Sequence, residues 1–229
     1  MRRTSMQLAA AVLAGGLAVT ACGNSLQLGS AATSGQGRIS SVTLTNEVAN
    51  LNAAYQADRH KGIKPQRAAS QMPQQVLTWL LTFQIYNQLA TQRGITVTPT
   101  QVQTQLSSLA AEATQNKVST SAYVSAAGAV PPDLLPQIGR YFAILSALEK
   151  RLDGGKAPTA TAGQNALQAR VSHVQCLAAK SLGIQVNPQY GQFDYANFTV
   201  VSVPSTLAAS PSPSVSASAP TKADLSPHC

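Results

Sequence analysis

The chain has 229 residues, of which 44% are hydrophobic, 5% are aromatic and 10% are charged, and its formal net charge is +8. This length fits one domain, or a small domain with tails, which excludes a multidomain enzyme; the composition excludes a polytopic membrane protein and a disulfide-dense scaffold. Because much of the apolar fraction is alanine and aromatic residues are few, helices are favoured over strands.

The first residues predict an export signal. Arg2 and Arg3 precede an apolar run at residues 8–19, which is too short to span a bilayer comfortably. The run leads into Val19-Thr20-Ala21-Cys22, an order that resembles the lipobox of bacterial lipoprotein signal peptides. The resemblance implies cleavage after Ala21, a diacylglyceryl thioether on the Cys22 sulfur, and a protein anchored to the extracytoplasmic face of the cell membrane. An ordinary secretory signal or an uncleaved anchor is the alternative.

Two stretches of small and polar residues flank the predicted domain. Residues 22–37 are rich in glycine, serine and glutamine, and they predict a flexible tether between lipid and fold. Residues 206–229 alternate serine, proline and alanine, which bury too little apolar surface to order a chain, so they predict a disordered tail. The folded domain is therefore predicted at residues 38–205, with the signal peptide at residues 1–21.

Two cysteines, Cys176 and Cys229, remain once Cys22 carries lipid. Exported thiols often pair, which predicts a disulfide between them; two free thiols, with Cys176 packed in the core, are the alternative. A weaker hypothesis combines His173 and Cys176, which lie one helical turn apart, with His228 and Cys229 as a tetrahedral metal site. Neither pair has zinc-ribbon spacing, so we predict no metal site and no cofactor.

The domain is predicted to begin with an extended segment at residues 38–42, followed by a helix. Apolar residues at helical spacing from Val48 to Tyr55 predict this helix, with Thr45 as its N-cap. The basic stretch Arg59–Lys64 is expected to follow it as a solvated loop, with contact to anionic lipid as the alternative.

The most apolar segment, Gln74–Arg93, predicts a long central helix, for which Gly94 supplies the C-cap. Threonine, glutamine and asparagine interrupt the segment, which argues against a membrane span. Its aromatic residues, Trp79, Phe83 and Tyr86, are interpreted as core side chains rather than as a ligand site.

Three more helices are predicted downstream. Thr98-Pro99-Thr100-Gln101 has the form of a capping box with proline at the first helical position, and it opens a helix to about Asn116. Pro131-Pro132-Asp133 opens the next helix, which ends near Asp153, and the last helix spans about Gln164–Leu182. The fold class is therefore predicted to be mainly α: a compact helical domain with short extended segments, flanked by disordered tails.

This order of elements resembles a known family. Residues 38–112 resemble the N-terminal chaperone domain of SurA-type periplasmic chaperones, which is also seen in PrsA-type foldases. The most specific part is Gly94-Ile95-Thr96-Val97-Thr98-Pro99-Thr100-Gln101-Val102, where a glycine, an extended piece and a cap lead into a new helix. Val186-Asn187-Pro188-Gln189-Tyr190-Gly191 after the last helix also matches, so the resemblance covers most of residues 38–195.

One departure from the family concerns catalysis. Many relatives insert a parvulin-type prolyl isomerase domain before the final helix, whereas this chain has only residues 151–163 between its last two helices. That segment is a linker by its length. Isomerase activity and catalytic residues are therefore not carried over, and we predict that the protein is not an enzyme.

The resemblance implies a module that cradles unfolded segments in an apolar groove between helices, with a basic surface for steering. Its expected partners are unfolded or exported polypeptides and, through Cys22, the membrane; export argues against nucleic acid. The groove residues are left unassigned, because each apolar position also has a core interpretation. The alternatives are a structural envelope lipoprotein or adaptor for one specific partner or cell-wall polymer, and a small metal-binding lipoprotein.

Overall fold

The computed structural model describes residues 28–155 and 160–203, and helices make up most of this part of the chain. The predicted signal peptide and the predicted tail at residues 206–229 lie outside the described residues. The mainly α fold is confirmed. The elements described are the helices α1 Ser41–His60, α2 Met72–Gln92, α3 Pro99–Gln115, α4 Thr120–Gly128, α5 Leu135–Leu152 and α6 Thr161–Leu182, and the strands β1 Ser30–Ser34, β2 Gly37–Ser40, β3 Gln185–Val186, β4 Gln192–Asp194 and β5 Thr199–Val201.

The prediction of a flexible tether at residues 22–37 is wrong from Ser30 onward. Strand β1 is the middle strand of an antiparallel sheet with the order β2-β1-β3, and Ala31 and Ala32 within it are fully buried. The Nδ2 group of Asn187 donates to the carbonyl of Ser30 at 3.1 Å, which ties β1 to the end of the domain. The small side chains of β1 are typical of a linker by composition. In the fold they allow the strand to lie close to its neighbours.

Helix α1 begins earlier than the sequence predicts. Its N-cap is Ser40, whose hydroxyl accepts from the backbone N–H of Thr43 at 2.9 Å, so Thr45 lies inside the helix. The helix continues to His60, and the first two residues of the predicted basic loop therefore belong to its last turn. Strand β2 ends at Ser40, so the cap follows directly from the sheet.

Helix α2 is central, as predicted, and it separates two groups of buried side chains. The first core lies between α2, α1, α6 and the strands and includes Leu51, Leu77 and Leu182. The second core is smaller and is formed by Phe83, Leu109, Val124, Val130, Leu134 and Ile138 of α2 to α5 and their connections. Within the described ranges, no helix has the length and hydropathy that crossing a membrane requires.

Local sequence signals predict some of the remaining helices and miss one of them. The capping box at Thr98 and Gln101 is present and opens α3. Single turns of 3-10 helix at Ala69–Gln71 and Pro132–Leu134 lead directly into α2 and α5. Helix α4 was not predicted: its nine residues are mostly small, and they lack an apolar period long enough to register as a helix.

Helices α3 and α5 cross at Gly139, where no larger residue fits. An added Cβ at Gly139 would lie 2.8 Å from Cγ of Leu106 and 3.0 Å from Cγ1 of Val102. Both distances are below ordinary van der Waals contact, so the glycine sets the separation of the two helices. The same two helices form one side of the second core, so their spacing also shapes the surface described below.

We expect Gly139→Ala to lower the free energy of unfolding by roughly 1–3 kcal/mol, because the new methyl group overpacks the crossing. Denaturant unfolding followed by circular dichroism measures the change. Leu106→Ala supplies the control, since it removes the closest obstructing atoms. In a double-mutant cycle, Gly139→Ala should therefore cost less in the Leu106→Ala background. Equal costs in both backgrounds would contradict the proposed crossing geometry.

Candidate functional site

An apolar cleft of about 250 Å³ opens on the second core, between α2, α3, α4 and α5. We call it the α4 groove. Glu112 is the one charged residue in its lining, which otherwise consists of apolar and aromatic side chains and one glycine. The lining residues are Trp79, Leu109, Glu112, Tyr123, Val124, Ala127, Gly128, Val130, Ile138 and Phe142.

Aromatic side chains hold one wall of the α4 groove in place. The indole Nε1 of Trp79 donates to the carbonyl of Gly128 at 2.8 Å. Its ring lies 5.9 Å from the rings of Phe83 and Tyr141, and Tyr141 in turn lies 4.9 Å from Phe142. Such edge and tilted contacts add to the area buried and restrict rotation. The groove is therefore formed before any ligand arrives.

The last residue of α4, Gly128, lies close to both Val130 and Trp79. An added Cβ at Gly128 would lie 3.3 Å from Cγ2 of Val130 and 3.8 Å from Cζ2 of Trp79. The next residue, Ala129, is left-handed at φ 52° and ends the helix. The helix therefore ends at the point where the Gly128 carbonyl accepts from the indole N–H of Trp79.

Size and chemistry indicate which ligands suit the α4 groove. Its volume is below the roughly 300–1,000 Å³ of typical small-molecule and cofactor sites. Apolar walls and an open mouth fit one or two large side chains of a longer chain. The α4 groove brings together side chains from four helices, which the sequence alone did not show to be neighbours.

Two tyrosines, of which Tyr86 is buried and Tyr141 is half-buried, support the aromatic wall from behind. Tyr86 and Tyr141 lie with ring centroids 4.5 Å apart, and the hydroxyl of Tyr86 donates to Oε1 of Gln175 at 3.5 Å. Burial raises the pKa of both phenols above the ordinary value. Both therefore stay neutral at physiological pH and contribute packing rather than charge.

A polar cluster lies between α1 and the turn before α5. Asn50 Nδ2 donates to Oδ2 of Asp133 at 2.8 Å, and Asn50 also bonds to Glu47. Glu47 Oε2 is buried with no hydrogen-bond partner. Burial, and secondarily the Asp133 charge, raise the pKa of Glu47 above 4.5. Only the fold brings these two acidic residues, one on α1 and one in the turn before α5, close together.

Of the three cysteines, the described residues include only Cys176, so the structure tests only part of the cysteine predictions. Cys176 lies on α6, is 7% exposed and is disulfide-bonded. Cys22 and Cys229 lie outside the described residues, so lipid attachment and the pairing with Cys229 stay predictions. A disulfide sulfur is not the thiolate that a metal site needs. Among the described residues, no three or more His, Cys, Asp or Glu side chains form a group that could hold a metal.

Comparison with known proteins identifies one family. A model of the SurA-like N-terminal domain family matches residues 1–129, which is more than half of the chain. No curated protein and no solved structure matches the chain. The matched segment includes α1 to α4, whereas α5 and α6 follow it.

The raised pKa of Glu47 predicts a dependence of stability on pH. The folded state holds this proton more tightly than the unfolded state, so stability falls as pH rises from about 4.5 through the raised folded pKa. Glu47→Gln removes the cost of ionisation, so we expect its Tm to exceed that of the parent at pH 7. The difference should shrink at pH 4, where both states are protonated. A lower Tm for the variant at pH 7 would contradict the assignment.

Proposed function

Because the chain belongs to the SurA-like N-terminal domain family, we propose that it binds unfolded or exported polypeptides as a chaperone-like module and carries out no catalysis. The observation that carries the proposal is the α4 groove, which is apolar, open and already formed. Its wall of Trp79 and Phe142 offers aromatic surface to a passing chain.

The energetics of such a groove suit transient binding. An extended client presents alternate side chains to one face, so one or two of them enter the groove at a time. Burying about 100 Å² of apolar surface contributes about 2.5 kcal/mol before the entropy of association is subtracted. The net affinity of a single contact is therefore low and release is fast. A client with several apolar segments gains affinity by rebinding.

We also propose that Cys22 carries the lipid and holds the domain at the extracytoplasmic face of the membrane. Two or more acyl chains anchor a protein stably, where one chain binds only marginally. Because β1 starts at Ser30, the tether after Cys22 is shorter than the 22–37 segment that composition predicts. Eight residues span at most about 28 Å when fully extended. The domain is thus kept close to the membrane from which exported chains emerge.

We expect Tyr123→Ala to weaken client binding about tenfold, because it removes apolar surface from the rim of the α4 groove. The assay is the concentration of protein that halves the aggregation rate of an unfolded client. Tyr190→Ala is the matched control, since Tyr190 is also half-buried but packs against the first core. The proposal fails if the parent does not delay aggregation at stoichiometric concentration, or if both variants lose the same activity.

A tryptic map without reduction tests both cysteine assignments together. We expect peptide 171–180, which contains Cys176, to be linked to peptide 223–229, which contains Cys229. Peptide 22–38 should carry the mass of the acyl groups and no disulfide. Mass spectrometry of protein extracted from membranes makes the measurement. A link between peptides 171–180 and 22–38 would contradict both the lipid on Cys22 and the disulfide to Cys229.

A further inference from the structure

A second surface lies beside the α4 groove and is strongly basic. Residues 59–67, at the end of α1 and in the loop after it, carry five basic residues, and Lys117 joins them from the connection between α3 and α4. We call this set the basic patch. All of its members are exposed: Arg59, His60, Lys61, Lys64, Arg67 and Lys117.

Among the described residues, no member of the basic patch forms an ion pair with an acidic side chain. Within the described ranges one ion pair is formed, between Arg170 and Asp153 at 3.7 Å, and it involves no residue of the patch. Asp58 lies beneath the loop but is only 4% exposed. Its carboxylate accepts from the hydroxyl of Ser125 at 2.9 Å, and its carbonyl accepts from the N–H of Ile63 at 2.9 Å. Asp58 therefore fixes the loop from inside and leaves the outer charges available.

A cleft of about 480 Å³ lies between Lys61 and Lys117. Its other lining residues include Ala122, which directly precedes Tyr123 of the α4 groove. On α3, Thr114 lines this cleft and Glu112 lines the groove. Both sites are therefore lined by residues of α3 and α4, and one extended chain, which rises about 3.3 Å per residue, can run from one site to the other.

The backbone of Lys117 is a second, independent indication. Lys117 has φ 57°, in the left-handed region, where glycine or asparagine is normally favoured at a helix end. The preceding helix α3 ends at Gln115, so this is the position at which a glycine would usually stand. A lysine here keeps a charge at the cleft at the expense of backbone strain.

The position of the basic patch argues against the anchoring membrane as its partner. The chain enters the domain at β1 and β2, next to the first turn of α1, whereas the patch lies at the last turn of the same helix. Twenty residues of helix separate these ends by about 30 Å. The chain therefore enters the domain at the opposite end of α1 from the basic patch.

We propose that the clients of this protein are extended segments in which acidic residues lie a few positions from an apolar or aromatic residue. The apolar side chain enters the α4 groove, and the carboxylates lie over Lys61 and Lys117. This inference rests on the proposed function and names the substrate class of its site. Glu112, at the rim of the groove, disfavours an acidic residue at the position that enters the groove.

Three synthetic peptides test the proposal with the purified full chain. They share one tryptophan-containing apolar centre and differ in flanks that are acidic, neutral or basic. Fluorescence anisotropy should show the acidic peptide binding about fivefold more tightly than the neutral one at low salt, and the difference should fall by 0.5 M salt. The double variant Lys61→Gln, Lys117→Gly should bind the acidic and neutral peptides equally, with unchanged affinity for the neutral one.

Two controls keep the test independent of folding. Lys150→Gln, Lys180→Gln makes the same change in net charge on other exposed helix positions, and it should keep the preference for the acidic peptide. Lys117→Gly alone relieves the backbone strain of a lysine in the left-handed region, so the Tm of this variant should equal or exceed that of the parent. Its preference for the acidic peptide should fall. A lower Tm together with unchanged preference would overturn the role of Lys117.

The outcomes separate this inference from the proposed function. Failure of all three peptides to bind would overturn the proposed function itself. Equal binding of the three peptides by the parent would overturn only the preference for acidic clients. Vesicles with anionic phospholipid provide the last arm: vesicle binding that requires Lys61 and Lys117, with no preference among the peptides, would assign the basic patch to a membrane and overturn the inference.

Discussion

The structure depends on one helix that is apolar on two sides. Leu77, Leu81 and Ile85 of α2 are fully buried in the first core, while Phe83 and Trp79 pack in the second. A helix of this kind has to be covered all round. α1, α6 and the strands cover one side fully. The other side is covered by α3, α5 and a helix of nine residues, and the α4 groove is the part of it that stays open.

Helix α4 therefore has an importance that its length does not suggest. One of its sides lines the α4 groove with Tyr123 and Val124, and another joins the basic loop, where Ser125 bonds to Asp58 and the Ala126 carbonyl accepts from the N–H of Gln66. The apolar and the basic surfaces thus share one narrow support. Any shift of α4 changes both surfaces together, and this couples the shape of one to the position of the other.

Sequence patterns identify the parts of the fold in which local chemistry and tertiary structure agree. The capping box at Thr98 and the long apolar period of α2 are of this kind. β1 and α4 were missed because small residues carry little periodic signal, and their places are set by what packs on them. The groove was beyond sequence reasoning for another reason: periodicity marks Trp79 and Ile138 as apolar, but it does not show which apolar side chains the fold leaves partly uncovered.

The antiparallel pairing of β1 with β3 has a consequence for the order in which the chain folds as it is synthesised. The bond from Asn187 to the Ser30 carbonyl joins residues 157 positions apart. A chain that emerges N-terminus first presents β1 at the start and β3 only after all six described helices. Contacts of such long range slow folding. Strand β1 therefore acquires its second neighbour only after all six described helices have been synthesised, so this sheet is completed late in folding.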